Sequence, residues 1–134
     1  MAINVFWHDA TQRIVMFEFK AGWTADDFLR ASASAREMML SVQHPVAMIV
    51  LFQQKIKLPR GFFQSLYQIE NTITPNFRGA AIVHDSTLAS TTIKVLSTVF
   101  PKLMQYVTLV PDLASAFDVV TELMHDNENG YMAV

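Results

Sequence analysis

Val46-Ala47-Met48-Ile49-Val50-Leu51-Phe52 is a near-continuous apolar run with β-branched members. A run of this kind is the pattern of a strand covered on both faces. It begins directly after His44-Pro45, and proline disfavours a helical residue before it, so the preceding segment ends there. That segment has helical spacing, with Phe28, Ala31, Ala35 and Met38 on one face and an end near Ser41. Thr24 is placed to cap it through a side-chain oxygen, and Asp26 and Asp27 put negative charge at the positive end of the helix dipole. Small residues dominate its middle, so the helix is expected to pack close to whatever it covers.

Towards the N-terminus, Ile3, Val5 and Trp7 alternate with Asn4, Phe6 and His8. After a polar gap the alternation resumes with Val15, Phe17 and Phe19 against Ile14, Met16 and Glu18, which predicts an antiparallel hairpin. Towards the C-terminus, Pro59 suits the first turn of a second helix with Phe62, Leu66, Ile69 and Ile73 inward. Phe63 and Tyr67 form an apolar strip beside that face. Thr74–Gly79 is expected as a loop and Ala80 to Val83 as a short buried strand. Ser86 or Thr87 should cap a third helix, with Leu88, Thr92, Val95 and Val99 along one side and Pro101 near its end. Tyr106 to Val110 is the last strand. Asp112 caps a final helix carrying the stripe Leu113, Ala116, Phe117, Val120 and Leu123. That helix is expected to stop at Asn127-Glu128-Asn129-Gly130, ahead of a loose tail.

The element order is ββαβαβαβα. Strands separated by single helices must run parallel through right-handed crossovers. The expectation is one compact α/β domain over residues 1–134, with its core at about residues 3–126. Its mixed, mostly parallel sheet has an antiparallel first strand.

Composition limits the function classes. A chain of 134 residues with 51% hydrophobic and 16% charged side chains can bury a core and is too apolar to be disordered. The absence of cysteine excludes a disulfide framework, a thiolate metal site and a cysteine nucleophile. Ten Lys and Arg against twelve Asp and Glu give no basic stripe for a nucleic acid. No stretch reaches the roughly 20 apolar residues of a membrane span. The opening Met1-Ala2-Ile3-Asn4-Val5-Phe6-Trp7 has no signal-peptide layout, and a cytoplasmic location is the expectation.

The element order, the hairpin segment Arg13-Ile14-Val15-Met16-Phe17-Glu18-Phe19, the buried strand and the Ala114-Ser115-Ala116-Phe117 portion of the last helix carry a resemblance. Together they resemble the STAS domain of bacterial anti-sigma-factor antagonists and sulfate-transporter tails, over Ile3 to Met124. The resemblance implies a non-enzymatic interaction or regulatory module that binds a protein partner or itself. In the switching members of that family, a serine or threonine in the turn after the central strand is phosphorylated, and the added charge breaks the complex. Here that turn is Leu58-Pro59-Arg60-Gly61, which contains no hydroxyl. The phospho-switch is therefore not carried over, while a docking surface at the following helix is, with Arg60, Phe63 and Tyr67 as its candidate residues.

Ligands of open α/β sheets bind beyond the carboxyl ends of the strands. Those ends supply Lys57 and Arg60, and then Ser86 and Thr87, as candidates for holding an anion at a helix start. The plain alternative is solvated loop charges and an ordinary helix cap. A small apolar or anionic ligand is thus the second functional expectation. His84-Asp85-Ser86 holds the residue types of a hydrolase triad, but triads converge from separate segments and no Gly-x-Ser-x-Gly elbow is present. His8, His44, His84 and His125 lack zinc-ligand spacing, and the four glycines form no phosphate loop. No catalytic residue, metal or cofactor is expected.

Overall fold

The computed structural model describes residues 2–53, 57–84 and 87–133, with side chains described except at residue 88 and at 126–133. The elements are β1 (Ile3–Trp7), β2 (Ile14–Phe19), α1 (Ala25–Leu40), β3 (Val46–Phe52) and α2 (Phe62–Glu70). They continue with β4 (Phe77–Val83), α3 (Thr87–Val99), α4 (Pro101–Met104), β5 (Val107–Val110) and α5 (Leu113–Ala133). The sheet order is β1-β2-β3-β4-β5; β1 is antiparallel to β2, and the remaining pairs are parallel. The α/β domain and its mixed sheet follow the expectation from the apolar pattern.

Order in space follows order in the chain, so successive right-handed crossovers step in one direction and lay α1, α2 and α3 on one face. That face holds the larger core, built on Val15, Phe17 and Phe19 of β2 and Val46 and Val50 of β3. The last helix has no further strand to reach and covers the other face. There Ala116, Val120 and Met124 of α5 meet Met16, Ala47, Ile49 and Ala81. Alternation along each strand therefore feeds two cores, which is why Val46–Phe52 is apolar almost throughout.

Local signals were accurate where a side chain meets its own backbone. Thr24 accepts from the Asp27 N–H at 3.1 Å, and Asp27 accepts from the Thr24 N–H at 3.0 Å, closing a reciprocal capping box. Asp112 accepts from the Ser115 N–H at 2.7 Å at the start of α5. That bond, with a further one from the Ser115 hydroxyl, holds the Asp112 carboxyl below its ordinary pKa.

Several boundaries differ from expectation. Pro59 does not begin α2: the Phe62 N–H bonds to the Pro59 carbonyl at 3.2 Å in a turn, and Gly61 at φ +82° caps the helix. Only glycine enters that left-handed conformation without steric cost. Ile73 falls beyond α2, and Met39 rather than Met38 is the buried methionine of α1. In α3 the buried face is Ala89 and Leu96, continued by Phe100, while Val95 and Val99 are exposed. Helical spacing marks both strips alike and does not say which one meets the sheet. The last helix continues past Gly130 to Ala133, since asparagine and glycine are weak helix formers rather than breakers.

Strand β4 starts three residues earlier than expected, at Phe77, because it contains a bulge. Val46 pairs with Phe77 while the next residue, Ala47, pairs with Gly79, which leaves Arg78 as the extra residue. The bulge inverts the side-chain alternation, so Phe77 and Ala80, three apart, line the same face. Gly79 takes φ +146° beside it.

Candidate functional site

Three places combine accessibility with chemistry. The first is the outer side of α2 and α3. Phe63 is 40% and Tyr67 63% exposed, and both stand edge-on to Phe100, with ring centroids 5.7 and 4.9 Å away. Phe100 itself is 0% exposed, so two accessible rings rest on a buried one. Val95 at 50% and Val99 at 41% stand one helical step aside from Leu96 and Phe100, on the flank that a right-handed crossover turns towards α2. The four residues form an apolar face carried by two neighbouring helices. Across the nine residues of α2 and the thirteen of α3 the charged side chains are only Glu70 and Lys94. By contrast α1 carries Asp26, Asp27, Arg30, Arg36 and Glu37.

The second place is an apolar chamber of about 200 Å³ between the sheet and helices α1 to α3. Phe17 and Val50 from the sheet, Ala35 and Met39 from α1, and Leu66 and Ile69 from α2 contribute to its wall. The small side chains of α1 and β4 therefore do not all produce close packing: Ala35 and Ala80 both line open volume. Of the residues around the chamber, Arg36 and Thr72 are exposed, which marks where it meets solvent. Arg36 Nε donates to the Thr72 carbonyl at 3.2 Å and ties α1 to the segment after α2 across that opening.

The third place is an open cleft of about 510 Å³ at the amino end of β4, lined by Glu70, Asn71, Arg78, Lys102 and Gln105 among others. It shares Ile73, Thr74, Phe77 and Tyr106 with the chamber. The bulged Arg78 donates through Nη1 to the carbonyls of Pro75 at 2.9 Å and Phe77 at 3.5 Å. Its Nε is buried and has no hydrogen-bond partner, the one such side-chain atom among the described residues. A buried donor left without an acceptor costs about 1–3 kcal/mol.

The candidates at the carboxyl ends of the strands are dispersed. Lys57 lines a further cleft with Phe19, Lys20, Gly22, Trp23 and Pro59. Arg60 is exposed and does not line that cleft, and Thr87 is the exposed first residue of α3. Ser86 lies outside the described residues, as does Asp85 of the His84-Asp85-Ser86 tripeptide. No group of three or more His, Cys, Asp or Glu able to hold a metal occurs among the described residues. Nor is any helix there long and apolar enough to cross a membrane.

Phe63 and Tyr67 are legible in the sequence as an apolar strip, whereas the chamber and the bulged Arg78 are not. The bulge leaves no mark in periodicity, because Phe77-Arg78-Gly79 also reads as loop. The chamber is a volume left by residues from α1, β4 and α2 together, and no single segment records it. No protein-family model matches the chain, and no curated protein matches it.

Proposed function

We propose that the protein is a non-enzymatic, STAS-like interaction module without a phospho-switch, which docks a second copy of itself through the outer face of α2 and α3. The observation that carries this reading is the pair of exposed rings, Phe63 and Tyr67, seated on the buried Phe100. Rings held from beneath lose little freedom on association, and interface cores are enriched in aromatic side chains and depleted in charge. An apolar face with few charges is also self-compatible, as a two-fold interface requires. Light scattering should give wild-type protein a mass of twice 15.1 kDa. The Phe63→Asp, Tyr67→Asp pair should return it to the single-chain mass with thermal unfolding lowered by no more than a few degrees. A wild-type protein that stays at the single-chain mass at high concentration removes this reading.

The chamber supports a second reading, a binding site for a small apolar molecule. An apolar cavity of about 150 Å³ is enough to stay dry and take up benzene. The volume of about 200 Å³ here suits six to eight carbon atoms. 1-Octanol at ten times its dissociation constant should stabilise the fold by about 1.4 kcal/mol, a rise in Tm of roughly 4 °C. An unchanged or lowered Tm over the soluble range of 1-octanol removes the chamber as a ligand site.

A further inference from the structure

We infer that the chamber and the Arg78 cleft form one site for a medium-chain carboxylate, with its alkyl chain in the chamber and its carboxylate on Arg78 and Lys102. This rests on the chamber being a ligand site and adds the identity of the head group. Three observations converge on it. The two spaces adjoin, with Ile73, Thr74, Phe77 and Tyr106 lining both. The chamber wall is almost wholly apolar, whereas the cleft is polar and carries Arg78, Lys102 and Glu70. Their formal sum is one positive charge, matched by one carboxylate. The third observation is the guanidinium of Arg78, which lines the cleft and is held by Nη1 bonds to two backbone carbonyls. A guanidinium fixed in this way is the side chain best shaped to hold a carboxylate.

The bulge explains why an arginine stands there at all. In an uninterrupted strand, position 78 would share a face with Ala80 and Ile82, both of which line the chamber. The extra residue gives that place to Phe77 and puts Arg78 in the cleft wall instead. Bulges re-aim side chains in this way beside functional sites. Lys102 reaches the same cleft from α4, the short helix begun by Pro101. The apolar volume and the cation pair are thus supplied by separate elements that meet at the amino end of β4.

The test is calorimetric titration of the whole protein with sodium octanoate and, separately, with 1-octanol at neutral pH. Wild-type protein should bind octanoate at least tenfold more tightly than 1-octanol. Arg78→Gln should erase that preference while leaving 1-octanol binding within twofold. Lys102→Gln, at an exposed position of α4, should weaken octanoate several-fold without altering the fold, which keeps the test usable if Arg78→Gln unfolds. Equal binding of octanoate and 1-octanol overturns the head-group assignment and leaves the chamber reading standing. Failure of both to bind removes the chamber reading and this one with it. A preference for octanoate that survives both substitutions overturns the assignment to Arg78 and Lys102.

Discussion

Phe100→Ala is expected to destabilise the fold by about 3–5 kcal/mol, the usual range for removing a fully buried aromatic ring. Among the described residues Phe100 is the largest side chain with no exposure, at the junction of α3 and α4. Its backbone N–H bonds to the Leu96 carbonyl at 2.7 Å, and its carbonyl accepts from Met104 at 2.9 Å, so the residue links both helices. A domain of this size has a total stability of about 5–15 kcal/mol, so the substitution removes a large share of it. The urea midpoint should fall accordingly, with an unchanged slope if the denatured state is unaltered. The same substitution removes the support of Phe63 and Tyr67, so self-association should weaken even where the variant is still folded. A loss below about 1 kcal/mol would show that Phe100 is not held as described.

Gly79→Val should cost about 3 kcal/mol or more, for two separable reasons. The first is conformational: φ +146° is a region that side-chain-bearing residues rarely enter, at roughly 1–3 kcal/mol. The second is steric, because a Cβ there would lie 2.8 Å from Leu123 Cδ1 and 3.0 Å from the Tyr106 carbonyl oxygen. Leu123 is a flexible side chain that can move, but the Tyr106 carbonyl accepts from the Ala80 N–H at 2.8 Å and belongs to the β4–β5 ladder. Overpacking of this kind costs a further 1–3 kcal/mol. Gly79→Ala measured alone and with Leu123→Ala isolates one part: what is lost in the second background is the clash with Leu123, and the remainder is backbone strain together with the contact on the Tyr106 carbonyl. A Gly79→Val protein with wild-type Tm would contradict the bulged path of β4.

The legibility of the chain divides by the range of the interaction. The β1–β2 hairpin, the capping box at Thr24 and Asp27 and the cap at Asp112 were readable because each is made within one short segment or between consecutive ones. The strand Val46–Phe52 was readable because burial on both faces leaves an apolar run with no alternation. The α3 stripe was misassigned for a related reason. Leu88, Thr92, Val95 and Val99 have the same spacing as Ala89, Leu96 and Phe100, and only the sheet beneath selects between them. Val95 and Val99 on the other side of that choice are exposed and belong to the candidate docking face.

The amino-acid sequence by itself determined the element order, the parallel sheet with one antiparallel edge and the absence of a hydroxyl in the Leu58-Pro59-Arg60-Gly61 turn. These follow from periodicity, proline and residue identity, which act locally. The tertiary structure alone decided that Arg78 is an extra residue in β4, that Phe63 and Tyr67 stand over Phe100 with their rings accessible, and that a chamber remains beneath α1 and α2. Each depends on how the volumes and register of distant segments fit together, and a mismatch of volume between segments leaves no pattern within any one of them.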